Sequence, residues 1–490
     1  MLPDKPNSYC GIFGIYGNQS SSIITYYGLH ALQHRGQEAS GIVSAEEREN
    51  GKIIFNVHKS LGLVSEVYDD NILNNDLKGF AAIGHNRYST TGASESRKNI
   101  QPFVVNYRMG HLSVAHNGNL TNAYILREKL VDDGAIFQTT SDTEVILHLI
   151  ARSKLNDQVE QVKEALKLIE GAYCLVILTN DKLIAARDPH GFRPLVIGKL
   201  NGSFIISSET CALDINQAEY IRDVEPNEMI VIDRDVTSIE NLKSFKIHET
   251  QPVKKQCIFE YIYFSRPDSR IFGHSVDKMR RKLGKILAKN HPVKDKEDQK
   301  VIVISVPDSS NTAALGYESQ LIKDGIKAKF EIGLIRSHYI GRTFIIPGQH
   351  KREIGVRVKF NIVKGVLHNK TVVLVDDSIV RGTTSKQLVN LIKEAGPKEI
   401  HIRISSPPII NPCFYGMDFP SKEELIAYNM KSDIDKIREY LDVDSLEYLT
   451  IDELLDAMVE QEPEHFCTAC FSGNYPTDIN SSINKEVYEE

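Results

Sequence analysis

The stretch at 371–385, TVVLVDDSIVRGTTS, constrains the fold more than any other part of this sequence. Residues of buried-strand type run into two carboxylates, a short loop with one glycine follows, and a helix then begins. Apolar runs such as KVIVISVPD and EIHIRISS, alternating with helical segments such as SKQLVNLIKEAG, repeat the pattern through the C-terminal half. Strands apolar on both faces, separated by helices, are the signature of a parallel sheet covered by helices.

The order of strand, carboxylates, loop and helix suits a sugar phosphate. Backbone N–H groups of the loop and helix start, joined by the hydroxyls of Ser378, Thr383 and Thr384, can surround a phosphate where the helix dipole favours negative charge. Gly382 lets the backbone come close. Asp376 and Asp377 then face the ribose hydroxyls, because a carboxylate accepts two hydrogen bonds from a vicinal diol, and they help to hold a divalent cation. An isolated Asp-Asp pair is more often a solvated strand end before a capped helix; here the whole arrangement favours the phosphate.

The first 240 or so residues follow a different pattern. Short amphipathic or apolar runs, among them KIIFNVHK, HLSVAHNG, SFIISSE and MIVIDR, are broken by turn residues and by a few helical stretches, including 22–37 and 143–154. Ser141 stands as N-cap of the second, with Glu144 three residues on. This half is expected to be sheet-rich with packed helices. A charged, poorly patterned stretch at 241–255 divides it from the parallel-sheet half.

Residues 371–385 resemble the phosphoribosyl pyrophosphate loop of type I phosphoribosyltransferases, in the version carried by amidophosphoribosyltransferases. VPDSSNTAALGY at 306–317 and HYIGRTFIIPGQ at 338–349 resemble that family's diphosphate-side loop and closing loop. The resemblance implies a type I phosphoribosyltransferase parallel α/β sheet in which Asp376, Asp377, Ser378, Arg381, Gly382, Thr383 and Thr384 bind phosphoribosyl pyrophosphate. It further implies Arg342 and Thr343 in the closing loop, and one Mg2+ per subunit held by Ser309, Asp376 and Asp377. One departure is Arg336-Ser337-His338, where the family usually has a Lys-Asn-Arg run; Arg336 keeps a positive charge there.

The comparison directs attention to Cys10, in SYCGIFGIYG. A thiol is a strong nucleophile as thiolate but little ionised near pH 7, so it needs a base. Removal of a leader over 1–9 would make Cys10 the first residue and give it a free α-amine, whose pKa of about 7.7–8.0 leaves it partly unprotonated at neutral pH. HNRYSTTG (85–92), HNGNL (116–120) and TSDTEV (140–145) resemble the glutamine site of class II, N-terminal-nucleophile amidotransferases, which implies an αββα glutaminase sandwich. The oxyanion formed on an attacked amide suits the side-chain amide of Asn117 and the backbone N–H of Gly118. Glutamine's α-carboxylate suits the forked cation of Arg87, and its α-ammonium suits Asp142. Singly, a buried free cysteine, a surface ion pair, a hairpin turn and a helix cap explain these residues more often. Their joint occurrence is uncommon. LQHRGQEASGI (32–42) and ARDPHGFRPLVIG (186–198) carry the likeness across nearly the whole chain. The expected division is therefore a leader over 1–9, a glutaminase domain over 10–240, a phosphoribosyltransferase domain over 255–475 and a tail over 476–490.

Seven cysteines in 490 residues, odd in number and irregularly spaced, do not resemble a disulfide framework. Cys467 and Cys470 form a Cys-x-x-Cys pair, and Cys257 and Cys413 sit where the iron-sulfur branch of the family carries cluster cysteines. The resemblance implies one 4Fe-4S cluster per subunit on Cys257, Cys413, Cys467 and Cys470; a four-cysteine shell also suits zinc. Cys174, inside YCLVIL, is more simply a core residue.

A net charge of −7 lacks the basic excess that neutralises nucleic-acid phosphates, which argues against a nucleic-acid partner. No apolar run approaches the roughly 20 residues of a membrane span and the start carries no signal-peptide pattern, so a cytoplasmic protein is expected. For activity the resemblance implies conversion of phosphoribosyl pyrophosphate, glutamine and water to 5-phosphoribosylamine, glutamate and pyrophosphate. It also implies a homotetramer inhibited by purine nucleotides.

Overall fold

The computed structural model describes residues 10–87, 97–297, 299–337, 359–417, 419, 421–458 and 462–479. In its N-terminal half, strands alternate side chains between two faces, and both faces find a partner. Seven antiparallel strands form one sheet in the spatial order Glu219–Asp223, Val196–Leu200, Ser203–Ser207, Gly11–Tyr16, Ala81–Arg87, Ala39–Glu47 and Ile53–Leu61. Six form a second: Lys243–Lys246, Glu228–Ile232, Leu183–Arg187, Gly171–Thr179, Gly110–Leu120 and Phe103–Tyr107. The sheets face each other across Ile12, Val43, Ile83, Ala115, Cys174, Val176 and Ile206. Helix Ser21–Ala31 covers the outside of the first sheet through Leu29, while helices Thr143–Arg152 and Gln158–Leu166 cover the second through Ile146, Ile150 and Val162. This is the expected αββα sandwich, and Cys174 is a core residue within it.

Three local expectations differ. The first helix ends at Ala31 rather than near 37, and the chain then turns through Leu32 to Gly36, because the Arg35 side chain is drawn into a buried carboxylate cluster. Ser141 Oγ accepts the Thr143 N–H at 3.3 Å, but Asp142 occupies the N-cap position, and Glu144 turns back to the N–H groups of Gln138 and Thr139 instead of closing a capping box. The strand Lys243–Lys246 lies inside the stretch expected to be a divider and edges the second sheet, where lysines suit an open edge.

The second half holds a five-stranded parallel sheet in the order Ala328–Phe330, Val301–Ser305, Thr371–Asp376, Glu399–Ile404 and Ser445–Tyr448. Period-two alternation splits its side chains cleanly. Val301, Val303, Val373 and Val375 pack against helices Val276–Asn290 and Asn311–Lys323, while Ile302, Ile304, Val372 and Leu374 pack against Thr383–Lys393 and Ile434–Leu441. Residues 371–376 therefore form the buried central strand that their composition demanded. In such sheets ligands bind beyond the carboxyl ends of the strands, where Ser305 and Asp376 lie.

Candidate active site

The strand Gly11–Tyr16 pairs antiparallel with Ala81–Arg87, Gly11 opposite Asn86, which brings Cys10 to the level of Arg87. Both are buried. Burial pulls the Arg87 pKa down, and the nearby Cys10 and Glu38 act against it. Asn117 and Gly118 lie within the strand Gly110–Leu120 rather than in a hairpin turn. The Asn117 side chain is fully buried, and among the described residues neither its Oδ1 nor its Nδ2 has a hydrogen-bond partner, which leaves an amide donor available to an incoming group. A Cβ at Gly118 would stand 2.0 Å from the Ala172 carbonyl oxygen, so only glycine lets this backbone lie there. Asp142 accepts the Leu120 N–H at 3.0 Å and the Thr143 hydroxyl at 3.3 Å. Burial pushes its pKa up, but His116 and these hydrogen bonds outweigh that and hold it below the usual carboxylate range.

The sequence missed the supports of this group. Gln101 accepts the His116 N–H at 2.8 Å and donates to Thr143 Oγ1 at 3.0 Å, and His116 Nδ1 lies 3.0 Å from the same hydroxyl. One clamp thus fixes the residues flanking Asn117 and Asp142. His116 and Thr143 stand inside recognised motifs, and adjacency to a candidate site residue was the available signal.

At the carboxyl end of the parallel sheet, Asp376 and Asp377 are both buried. Ser309 Oγ donates to Asp377, Ser310 Oγ to Asp376 at 3.1 Å, and Ser378 Oγ to Asp377 at 2.7 Å. Gly382, at φ 79°, turns the loop into the helix Thr383–Lys393, so Thr383 and Thr384 stand on its first turn. Arg381 reaches Glu424 at 2.8 Å. Arg336 pairs with Asp308 at 3.3 Å beside the diphosphate-side loop. Arg342 and Thr343, like His338, lie outside the described residues.

A thiol beside an arginine on one sheet and a carboxylate pair before a glycine-opened helix on another point to one known pairing. Residues 85–214 match the glutamine amidotransferase domain family. The chain is 50% identical to amidophosphoribosyltransferase 2, chloroplastic, of Arabidopsis thaliana, over 96% of this chain and 80% of that one. It is 46% identical to the Methanocaldococcus jannaschii amidophosphoribosyltransferase, over 96% and 98%. The chain belongs to the amidophosphoribosyltransferase family. The solved glutamine phosphoribosylpyrophosphate amidotransferase of Bacillus subtilis, complexed with ADP and GMP, superimposes with a TM-score of 0.86 at 44% identity, over 96% of this chain and 98% of that one.

In this amidophosphoribosyltransferase chain four further cysteines meet at the junction of the halves. Gln256–Cys257 pairs parallel with Phe466–Cys467, Cys257 opposite Cys467. The Cys470 carbonyl accepts the N–H groups of Ile410 and Asn411, each at 3.1 Å, and the Tyr415 N–H donates to Cys413 Sγ at 3.3 Å. All four are buried. Burial pushes the Cys257 thiol up to about 11 and raises Cys467 and Cys470 further, and charge on the neighbouring thiols adds to each shift. Among the described residues, no three His, Cys, Asp or Glu side chains converge as a single metal ion requires. Of the expected tail over 476–490, the Thr477 N–H donates to the Tyr415 hydroxyl at 3.0 Å and Ile479 packs on the core, while 480–490 lie outside the described residues.

Proposed function

We propose that this chain is a glutamine-dependent amidophosphoribosyltransferase, with Cys10 as nucleophile in the first half and the Asp376–Asp377 loop holding phosphoribosyl pyrophosphate in the second. The observation that carries the assignment is the buried amide of Asn117, unpartnered among the described residues, in a chain that also buries a carboxylate pair before a glycine-opened helix start. The transfer opens de novo purine synthesis.

With residues 1–9 removed, the Cys10 α-amine takes the thiol proton and the sulfur attacks the glutamine amide carbonyl. Asn117 and the Gly118 N–H stabilise the oxyanion, while Arg87 and Asp142 hold the α-carboxylate and α-ammonium. The C–N bond breaks, ammonia leaves with the proton returned by the amine, and water hydrolyses the thioester to glutamate. Ammonia then forms a bond to C1 of the phosphoribosyl group as the C1–O bond breaks and pyrophosphate departs. Ammonia is mostly protonated in neutral water, so an enclosed route favours transfer. Asn119 Nδ2, two residues beyond Asn117, already donates to the Phe414 carbonyl of the second half at 3.0 Å.

Ser309, Asp376 and Asp377 offer the hard oxygen set that suits Mg2+, which would neutralise the diphosphate charge. Cys257, Cys413, Cys467 and Cys470 supply four mutually coupled thiols in a dry site, a donor set that suits a 4Fe-4S cluster, whose contribution there would be structural. We read purine nucleotides as inhibitors, in line with the ADP and GMP held by the Bacillus subtilis relative, and a homotetramer in line with the family resemblance. Among the described residues no helix is long and apolar enough to cross a membrane, and a cytoplasmic location is the proposal, although the plant relatives are named chloroplastic. We read the functional units as dividing after the edge strand Lys243–Lys246, which belongs to the first half's second sheet.

The test is glutamate and pyrophosphate release by anaerobically purified protein with Mg2+, with and without phosphoribosyl pyrophosphate. Both products, dependent on the cosubstrate, are expected. Glutamate without pyrophosphate would mean a different acceptor.

A further inference from the structure

The parallel sheet carries, level with its carboxylate pair, a phenol that the proposed chemistry does not use. In register, Asp376 stands opposite Ile404 and Ile404 opposite Tyr448, so the three form one row across the carboxyl ends of three neighbouring strands. Alternation puts them on one face. Val372 and Leu374 precede Asp376 there, Ile400 and Ile402 precede Ile404, and Leu446 precedes Tyr448. This is the face covered by helix Thr383–Lys393, which begins at the glycine after the carboxylate pair.

Tyr448 is 6% exposed and Asp376 4%. Among the described residues the Tyr448 hydroxyl has no hydrogen-bond partner. Asp376 Oδ1 accepts the Ser310 hydroxyl at 3.1 Å and the Asp377 N–H at 2.9 Å, and Ser310 approaches from the side of strand Val301–Ser305. Tyr448 stands on the opposite side, beyond Ile404. Two interstrand steps of about 4.8 Å separate its backbone from that of Asp376, a gap that a phenol leaning over Ile404 can close. Burial pushes the phenol's pKa far up, and the Asp376 charge adds to the rise, which places the hydroxyl within the field of that carboxylate. A buried hydroxyl without a partner destabilises a fold, and phenylalanine would fill the same space without that penalty. In the ligand-free protein the oxygen is therefore a burden that binding can relieve.

We propose that Tyr448 is a positioning residue of the phosphoribosyl site, its hydroxyl donating to the Asp376 carboxylate when a ribose diol engages that group. The inference rests on the functional assignment above and extends it to a residue outside the loop. A carboxylate that accepts two hydrogen bonds from a vicinal diol must hold its plane toward the sugar. Ser310 and the Asp377 N–H fix that plane from one side, and the Tyr448 hydroxyl fixes it from the other. A carboxylate already held loses less freedom when the sugar arrives, which favours binding. Acting from behind Asp376, Tyr448 sets the affinity for phosphoribosyl pyrophosphate and leaves the displacement at C1 unchanged.

The experiment compares the anaerobically purified wild-type holoenzyme with Tyr448→Phe, Asp376→Ala and the double variant, all with Mg2+. Calorimetry gives the Kd for phosphoribosyl pyrophosphate, pyrophosphate release with added ammonia gives KM and kcat, and urea unfolding of the ligand-free protein gives stability. Tyr448→Phe is expected to raise Kd and KM for phosphoribosyl pyrophosphate about five- to tenfold with kcat little changed, while the urea midpoint stays level or rises. A hydroxyl that serves the fold alone would not move affinity and stability in opposite directions. In the Asp376→Ala background the same change should add little, because the acceptor is already gone. Unchanged affinity in Tyr448→Phe overturns the proposal, as does a loss that repeats in full on top of Asp376→Ala. A loss of affinity that comes with a lower urea midpoint overturns it too, since the hydroxyl would then be holding the fold. Wild-type protein that binds phosphoribosyl pyrophosphate and releases pyrophosphate keeps the functional assignment whichever way the variants fall, and wild-type protein that binds none removes both.

Discussion

The Phe192 ring lies flat on the Tyr415 ring, centroids 4.2 Å apart and planes 14° from parallel. Phe192 belongs to the first half and Tyr415 to the second, and Arg193 adds a bond to the Tyr415 carbonyl at 3.0 Å. The Tyr415 N–H in turn touches Cys413. This stack is therefore a rivet between the halves at the cysteine site. Phe192→Ala is expected to cost about 3–5 kcal/mol in denaturant unfolding, the range for a buried aromatic removed from a packed interior. A loss below about 1 kcal/mol would show that the junction is held elsewhere.

Asn117→Ala removes the buried amide donor and leaves the second half untouched. Glutamine-supported kcat should fall about 100- to 1,000-fold, the usual effect of deleting one oxyanion donor, while pyrophosphate release supported by added ammonia stays near the wild-type rate. Parallel assays with the two nitrogen sources decide it. Equal losses with both would place Asn117 in a structural role.

Asp377 accepts hydroxyl hydrogens from both Ser309 and Ser378. Asp377→Asn turns one oxygen into a donor facing donors and removes a charge from the cation site. The KM for phosphoribosyl pyrophosphate should rise about tenfold or more, as expected when a bond to a charged group is lost. Glutamine hydrolysis without the cosubstrate should not change.

Glu209 is fully buried against Arg35 and His34. Burial alone would raise its pKa, but the Arg35 guanidinium, with the hydrogen bonds from His34 and Ser269, outweighs it and holds the carboxyl well below its ordinary value. Its unfolded pKa is about 4.3, so the folded state favours the ionised form. That contribution is complete above about pH 5 and is lost as pH falls through the unfolded value toward the depressed folded one. Urea midpoints between pH 6 and 3 should drop with acid, and Glu209→Gln should flatten the fall while lowering the neutral-pH midpoint.

Anaerobically purified protein should carry iron and acid-labile sulfide in equal amounts with a broad visible absorbance. Cys467→Ser should lose both and melt at a lower temperature. Zinc with no sulfide would replace the cluster by a mononuclear site.

Much of this was legible in the order of residues. The run TVVLV demanded a strand buried on both faces, and the Asp376–Asp377 pair before a glycine and two threonines marked its carboxyl end and the start of the next helix. Cys10, Arg87, Asn117 and Asp142 were expected from segments that resemble a known glutamine site, and the structure buries all four. The ion cluster was not legible, since Arg35, Glu209, Glu260 and Arg193 pair across separations as long as 225 residues. The one local hint was Glu260 itself, a carboxylate set inside the apolar run CIFEYIYF. The early end of the first helix was hidden for the same reason, because the carboxylates that draw Arg35 away, Glu209 and Glu260, stand 174 and 225 residues further on.

The two-residue pairing of Gln256–Cys257 with Phe466–Cys467 also governs the order in which the chain can be finished. The opening residues of the second half have their β partner almost at the far end of the sequence. On the ribosome the first half's two sheets can assemble early, whereas the second half must wait with one seam open until residue 467 has emerged. Until then the cysteines that flank the seam are apart, and assembly of any group they share has to follow synthesis.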